Sequence, residues 1–307
     1  MAKMRVFLTG GRGMVGHNFL EHAHASGYTV YAPSSQELDL TDYGATFSIV
    51  QNFKPDIIVH CAGKVGGIQA NIREPVSFLI NNLDMGRNIV WAAYNSGVKR
   101  LINLGSSCMY PRDAKNPLVE ENIMKGELEP TNEGYALAKI TVARLCEYLT
   151  RENSDVFYKT LIPCNIYGRY DKFDAKHSHM VPAIIRKMHD AKINGLKVVD
   201  IWGDGQARRE FMYAEDLADC MWECVSRFSD VPQYMNVGLG YDHTINDYYK
   251  ACARVTGYEG TFVHDLTKPV GMNQKLVSVQ ALEKWGWRAK ISLEAGLRET
   301  YRYYLEQ

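Results

Sequence analysis

Two hydrophobic rhythms alternate along the first half of the chain. Short β-branched and apolar runs at residues 4–9, 28–32, 56–60, 100–104 and 156–162 read as strands. Between them, residues 14–25, 43–53, 76–95 and 133–151 carry the apolar spacing of helices. Gly10, Gly11 and Gly13 part the first strand from its helix, Pro33 closes the second strand, and Pro55 precedes the third. Repeated strand and helix units of this length predict an α/β fold, a Rossmann-type doubly wound parallel sheet.

Beyond Pro163 the rhythm loosens. Residues 168–178 are polar and irregular, 182–190 suggest a short helix, and 198–202 a strand that turns at Gly203-Asp204-Gly205. Short strands at 210–213 and 233–237 flank a helix at 216–228. No long linker, low-complexity tract or repeat interrupts the chain. The predicted organisation is a sheet domain over 1–165 with a returning segment at about 213–240, and a smaller, interwoven lobe from 166–212 and 241–307.

At 307 residues the chain is long enough to bury a sizeable core without staples. Lys+Arg and Asp+Glu are each 35, so no positive field draws a nucleic acid or an anionic membrane surface. No stretch approaches the ~20 apolar residues of a membrane span, and the run from Val6 to Thr9 is too short for a secretory apolar region. Seven scattered cysteines, an odd number, do not make a disulfide framework and point to a reducing, cytoplasmic setting. Cys220 and Cys224 can share a helix face, but no second pair or His stands at ligand spacing. They read as buried core thiols, and no metal is expected.

The glycine turn carries the first chemistry. Gly11-x-Gly13-x-x-Gly16 matches the dinucleotide fingerprint between a strand and a helix, and Gly10 offers a second register at the same place. Such a turn brings backbone and a helix N-terminus up to a pyrophosphate. An acidic residue about 20 positions on, for a ribose 2′-hydroxyl, is missing: the second strand ends Ala32-Pro33-Ser34-Ser35, and Glu37 lies past the expected place. With Arg12 in the turn, a 2′-phosphate suits the site better, so NADPH is expected rather than NADH.

Of 19 tyrosines only Tyr135 has a lysine, Lys139, four residues later, which places both on one helix face. A cation beside a phenol is expected to favour the phenolate and bring its proton into play near neutrality. Ser106, just past the strand at 100–104, lies where ligands bind in open parallel sheets. On the glycine turn, Ser106 and Tyr135-x-x-x-Lys139, the chain resembles the extended short-chain dehydrogenase/reductases over essentially its whole length. A closer resemblance, to the GDP-L-fucose synthase family, rests on Ala62-Gly-Lys-Val-Gly-Gly-Ile68, Leu104-Gly-Ser-Ser-Cys-Met-Tyr-Pro111 and Leu128-Glu-Pro-Thr-Asn-Glu133. Asn165-Ile-Tyr-Gly168, Ser178-His179 and Arg209-Glu-Phe211 extend it.

That resemblance implies an NADP(H)-dependent enzyme that converts GDP-4-keto-6-deoxy-mannose to GDP-fucose, inverting carbons 3 and 5 and then reducing carbon 4. Protons beside a ketone are acidified because the enolate spreads charge onto oxygen, so one base and one acid can serve both inversions. Cys108 and His179 match the family's pair, with His177 a weaker match. Ser106 and Tyr135 would hold the enolate oxygen, and Tyr135, beside Lys139, would supply the final proton.

The resemblance carries cofactor binding onto Gly10, Gly11, Arg12, Gly13, Met14, Val15, Gly16, Ser34, Ser35, Asp39, Ala62, Gly63, Tyr135, Lys139, Pro163, Asn165 and Ile166. It carries substrate binding onto Lys64, Val65, Ser107, Asn165, His179, Lys187, Trp202, Arg209 and Lys275. Of these, Arg209 and Lys275 are implied at the diphosphate and Trp202 near the base. Unaided, Arg209 and Lys275 read as solvated charges and Trp202 as core. Ser35 and Lys187 stand where the family carries arginines. A homodimer through the helices at 76–95 and 133–151 is also implied.

Three alternatives remain beside this one. A 4-keto reductase, with or without epimerase activity, for a related GDP-4-keto-6-deoxy sugar or heptose stays open. A nucleotide-sugar dehydratase would carry Asp-Glu after its Ser or Thr, where Ser107-Cys108 follow Ser106 here. A non-catalytic NADPH sensor of the same fold commonly lacks the tyrosine, which this chain keeps.

Overall fold

The computed structural model describes residues 2–174, 178–268 and 272–307. Strand β1 (Arg5–Thr9) passes through the glycine turn into α1 (Met14–Glu21), followed by β2 (Thr29–Tyr31), α2 (Tyr43–Phe53) and β3 (Ile57–His60). A short α3 (Ile68–Arg73), absent from the sequence reading, abuts α4 (Pro75–Asn95). Pro75 opens α4 at a position with no helical hydrogen bond to lose. Next come β4 (Arg100–Leu104), α5 (Glu133–Glu152) and β5 (Phe157–Pro163).

Then follow β6 (Asn165–Tyr167), α6 (Met180–Ile193), β7 (Val198–Trp202), β8 (Arg208–Arg209), β9 (Phe211–Tyr213), α7 (Ala214–Ser226) and β10 (Tyr234–Val237). The chain ends with β11 (His243–Thr244), α8 (Ile245–Thr256), β12 (Thr261–Asp265), β13 (Gln274–Lys275), α9 (Gln280–Trp285) and α10 (Leu293–Leu305).

The main sheet is parallel throughout, in the order β10-β5-β4-β3-β1-β2. Side chains alternate between its faces. Val6, Leu8, Ile57, Val59 and Ile102 pack toward α1 and α7, whereas Phe7, Ile58 and Leu101 pack toward α2, α4 and α5. Gly86 lets α4 and α5 close on each other: a Cβ there would sit 2.4 Å from a Val142 methyl. Segment 214–237 returns α7 and β10 to this sheet, β10 pairing with β5. The other lobe has its own aromatic core, with Tyr167, Phe211, Tyr213 and Tyr248 packed around Val181, Ile185 and Leu297.

Several elements differ from the sequence reading. The first helix stops at Glu21, and Ala23–Gly27 tighten into a 3₁₀ turn. The strand expected at 210–213 divides at Glu210, whose buried carboxylate turns inward to accept the amides of Leu239, Gly240 and Val277. Helix α8 is an addition to the sequence reading: Thr244 and Asp247 form a reciprocal capping box and Gly257 ends it at φ +71°.

Candidate active site

Chain direction makes the crevice. From β1 the chain steps one way to β2 and then back past β1 to β3, so the loops after β1 and β3 diverge at the C-terminal edge of the sheet. Gly10 closes the first loop at φ +74°, and a Cβ there would lie 2.7 Å from the Ala62 nitrogen. A Cβ on Gly16 would meet the Gly10 carbonyl at 2.2 Å. Gly10 and Gly16 are therefore the positions the backbone reserves for glycine, and the turn uses the register that begins at Gly10. Helix α1 starts after Gly13 without a side-chain cap.

Beside this turn opens a cleft of about 210 Å³, lined by Thr9, Gly10, Pro33, Ser35, Leu38, Asp39, Leu40, Ala62, Gly63 and Met85. Five of the expected cofactor residues, Gly10, Ser35, Asp39, Ala62 and Gly63, share that wall. Buried His60 ties the two loops together: its Nδ1 lies 2.7 Å from the Thr9 hydroxyl, which accepts the Ala62 amide at 3.2 Å.

Beside the cleft stands Glu37, the carboxylate that lies past the expected strand-end position. Glu37 folds back to accept the Ser34 amide at 2.7 Å. That bond, with a smaller contribution from Arg12, holds its carboxyl below the ordinary range. Asp39, by contrast, is engaged by the amide and hydroxyl of Thr41, at 2.9 and 2.7 Å.

After β4 the chain tightens into the 3₁₀ turn Ser107–Met109, capped by the Ser106 hydroxyl, which accepts the Cys108 amide at 3.2 Å. This turn faces the start of α5, and Ser106 hydrogen-bonds the Tyr135 phenol. Lys139 is 6% exposed and donates to the Leu104 carbonyl at 2.9 Å, with its ammonium 5.9 Å from the centre of the Tyr135 ring. The expected electrostatics need correction. Burial pushes the Tyr135 phenol well above its ordinary value, Cys108 adds to the rise, and the Ser106 bond offsets only part. Lys139 is drawn down to about 8, by burial above all. Burying the pair disfavours both charged forms, so the resting tyrosine is a protonated donor.

His179 precedes α6, and its segment meets the loop after β3: a Cβ on Gly67 would lie 3.1 Å from the Ser178 carbonyl. Burial, with Lys172 acting the same way, lowers its imidazole. His177 lies outside the described residues. Asn165 donates to the Glu210 carbonyl at 2.9 Å from β6, beside Pro163 and Ile166. Ser107 is buried and Val65 exposed, while Met14 and Val15 begin α1 half-buried.

The cations expected at the substrate have other engagements. Lys64 reaches Glu74 at 2.8 Å and Ser77 at 2.7 Å. Lys187 is held by Asp200, at 2.6 Å from its carbonyl and 2.7 Å from its carboxylate. Arg209 is half-buried and donates to the Arg208 carbonyl, so it is not the solvated charge of the unaided reading. Trp202 is 45% exposed, with the Lys268 ammonium 5.7 Å from its ring centre, and is not core. Lys275, expected at the diphosphate, points its ammonium at the Cys108 sulfur from 3.3 Å. Asn132, which the sequence reading passed over, approaches that sulfur from 3.2 Å. Its only signal was its place three residues before Tyr135, inside a matching stretch.

The family model "NAD dependent epimerase/dehydratase family" matches residues 6–238. The chain is similar to the GDP-L-colitose synthase of Yersinia pseudotuberculosis, 53% identical over 304 residues and 99% of each chain. It is also similar to the GDP-L-fucose synthase of Azorhizobium caulinodans, 47% identical over 98% of this chain and 96% of that one. Among solved structures, a GDP-mannoheptose C4 reductase from Campylobacter jejuni with NADP bound is similar at a TM-score of 0.90 and 28% identity, over 99% of both chains.

Proposed function

Since the chain belongs to the NAD dependent epimerase/dehydratase family, we propose that it is an NADPH-dependent epimerase and reductase of a GDP-linked 4-keto-6-deoxy sugar. The product assigned is GDP-L-fucose, from GDP-4-keto-6-deoxy-mannose by inversion at carbons 3 and 5 and reduction at carbon 4. The observation that carries this reading is one cluster in which Ser106, Tyr135 and Lys139 stand with a thiol, Cys108. A reductase needs the first three residues, whereas Cys108 adds a base.

The tight turn at Gly10 and Gly16, where a Cβ would clash with backbone, fits a dinucleotide. Residues Gly10 to Gly16 would hold its pyrophosphate and the cleft at Ser35 and Ala62 its adenosine side. When bound, NADPH supplies the hydride for carbon 4. Arg12 is the counter-charge for a 2′-phosphate, which has to compete with Glu37.

Cys108 removes a proton from a carbon beside the ketone, and His179 returns one on the opposite face. The lowered imidazole of His179 gives up its proton readily but needs a nearby negative charge to take one up. Ser106 and Tyr135 donate to the enolate oxygen, in a site dry enough for such bonds to count. Tyr135, kept protonated by burial, then hands its proton to the oxygen formed at carbon 4.

A second reading, action on a related GDP-linked keto-sugar, is favoured by the higher identity to the colitose synthase than to the fucose synthase, 53% against 47%. Turnover in heavy water with NADPH tests both. Deuterium at carbons 3 and 5 of the product supports the fucose-forming reaction, label at one carbon favours the related sugar, and label at neither leaves a reductase.

We also assign the enzyme to the cytoplasm as a homodimer. Val76, Ile80 and Trp91 on α4 and Leu137 and Tyr148 on α5 form exposed apolar positions on the paired helices, where a second copy fits. Sedimentation of the wild type and Val76→Asp checks this, and a wild-type monomer at micromolar concentration overturns it.

A further inference from the structure

Two donors from distant parts of the chain converge on the Cys108 sulfur. Asn132, on the turn before α5, approaches with Nδ2 at 3.2 Å, and Lys275, on β13, with Nζ at 3.3 Å. An ammonium and an amide nitrogen can only donate, so both meet the sulfur as an acceptor, through its lone pairs. Resting on the function proposed above, we propose that Lys275 is the positioning residue of the inverting base. It stabilises negative charge on the Cys108 sulfur as that sulfur exchanges a proton with the substrate, while Asn132 fixes the direction of the sulfur's lone pair.

Lys275 is delivered from a rigid mount. Its neighbour Gln274 donates to Asp242 at 2.6 Å, the Leu276 amide donates to Asn116 at 2.8 Å, and the Val277 amide donates to Glu210 at 2.9 Å. Pairing with β8 fixes the strand itself. Cys108 is equally fixed, because its amide is bound to the Ser106 hydroxyl. A cation at this range stabilises a thiolate by more than it would in open water. The titratable group that faces the sulfur from α5 is Tyr135, neutral by burial, so it does not oppose the ammonium.

In the step so assisted, the S–H bond forms as the carbon–hydrogen bond beside the ketone breaks. The carbon–hydrogen electron pair becomes the enolate double bond, and charge passes to the oxygen held by Ser106 and Tyr135. His179 then gives its proton to the carbon from the other face, and the thiol and imidazole reset by exchange with water.

Alkylation of the full-length enzyme by iodoacetamide, without substrate, separates this role from a diphosphate contact. Peptide mapping reports Cys108, and Cys61, which burial pushes up to about 12, serves as the slow control. In Lys275→Met the midpoint of the Cys108 pH–rate curve is expected to rise by about one unit or more. The plateau at high pH should rise too, because a more basic thiolate is the better nucleophile. Lys275→Arg should keep the midpoint within about half a unit, and Lys275→Gln is a second neutral variant should the Met form fold poorly.

Under saturating keto-sugar, exchange of solvent deuterium at pH 7 is expected to fall about tenfold in Lys275→Met, with its pH profile displaced the same way. An alkylation midpoint unmoved in both neutral variants overturns the proposal, as does equal displacement in Lys275→Arg. A rise in KM shared by exchange and reduction, with alkylation unchanged, assigns Lys275 to the diphosphate alone. A wild type that labels neither carbon refutes epimerisation instead, and the alkylation curves still decide the role of Lys275.

Discussion

Acidification acts on this molecule through His60, which joins the two loops of the cofactor crevice. The ring is 2% exposed, and burial, aided by the nearby Lys139 charge, lowers it from 6.5 to about 3. Its Nδ1 faces the Thr9 hydroxyl at 2.7 Å, and that hydroxyl also accepts the Ala62 amide. A neutral ring with Nδ1 as acceptor fits both bonds.

The sign follows from proton counting. Between about 3 and 6.5 the unfolded chain binds a proton at this residue and the folded chain does not, so stability is full above 6.5 and falls as the pH drops. At ~1.4 kcal/mol per unit, the loss is about 2 kcal/mol at pH 5 and approaches about 5 kcal/mol near pH 3. Urea unfolding of wild type and His60→Gln at pH 7 and pH 5 isolates it, since the substitution's own cost cancels in the difference between the two pH values. With a slope of about 3 kcal/mol per molar, the wild-type midpoint should fall by roughly 0.7 M more than the variant's. Equal falls would refute the reasoning, because other acid-sensitive groups are common to both proteins.

Three substitutions probe the rest of the site. Tyr135→Phe should lower ketone reduction by about 10²–10⁴-fold while NADPH binding holds, and a near wild-type rate removes Tyr135 from the mechanism. Gly16→Ala places a methyl 2.2 Å from the Gly10 carbonyl. It should cost about 1–3 kcal/mol in urea unfolding and weaken NADPH binding, measured by cofactor fluorescence; tight binding would mean the turn is not the pyrophosphate site. Arg12→Ala should raise KM for NADPH about tenfold and leave KM for NADH nearly unchanged, and equal effects would place the 2′-phosphate elsewhere.

Most of what could be read early is local. Five parallel-sheet strands, the long helices around them and the glycine turn are written as periodicity and punctuation within windows of about 20 residues, because burial on a sheet imposes its own spacing on sequence. The bounds of β4 and β7 coincide with the runs at 100–104 and 198–202. Ser106, Tyr135 and Lys139 were identifiable because one lies at a strand end and the other two share a helix face.

What stayed hidden depends on residues far apart in the chain. Nothing near Lys275 announces that its ammonium meets a sulfur 167 positions away, nor does the spacing of Lys187 show that Asp200 holds it. The same holds for the sign of the Tyr135 and Lys139 shifts. Adjacency along a helix argued for a phenolate, but burial by surrounding elements sets the direction for both groups, and at Tyr135 only the Ser106 bond opposes it. Sequence by itself determined the sheet, the turn and the types of chemical group on offer, because those follow from short-range sterics and hydrophobic period. Tertiary structure alone decided which charges face which atoms and how dry they are, because desolvation and Coulomb energy depend on distance through space.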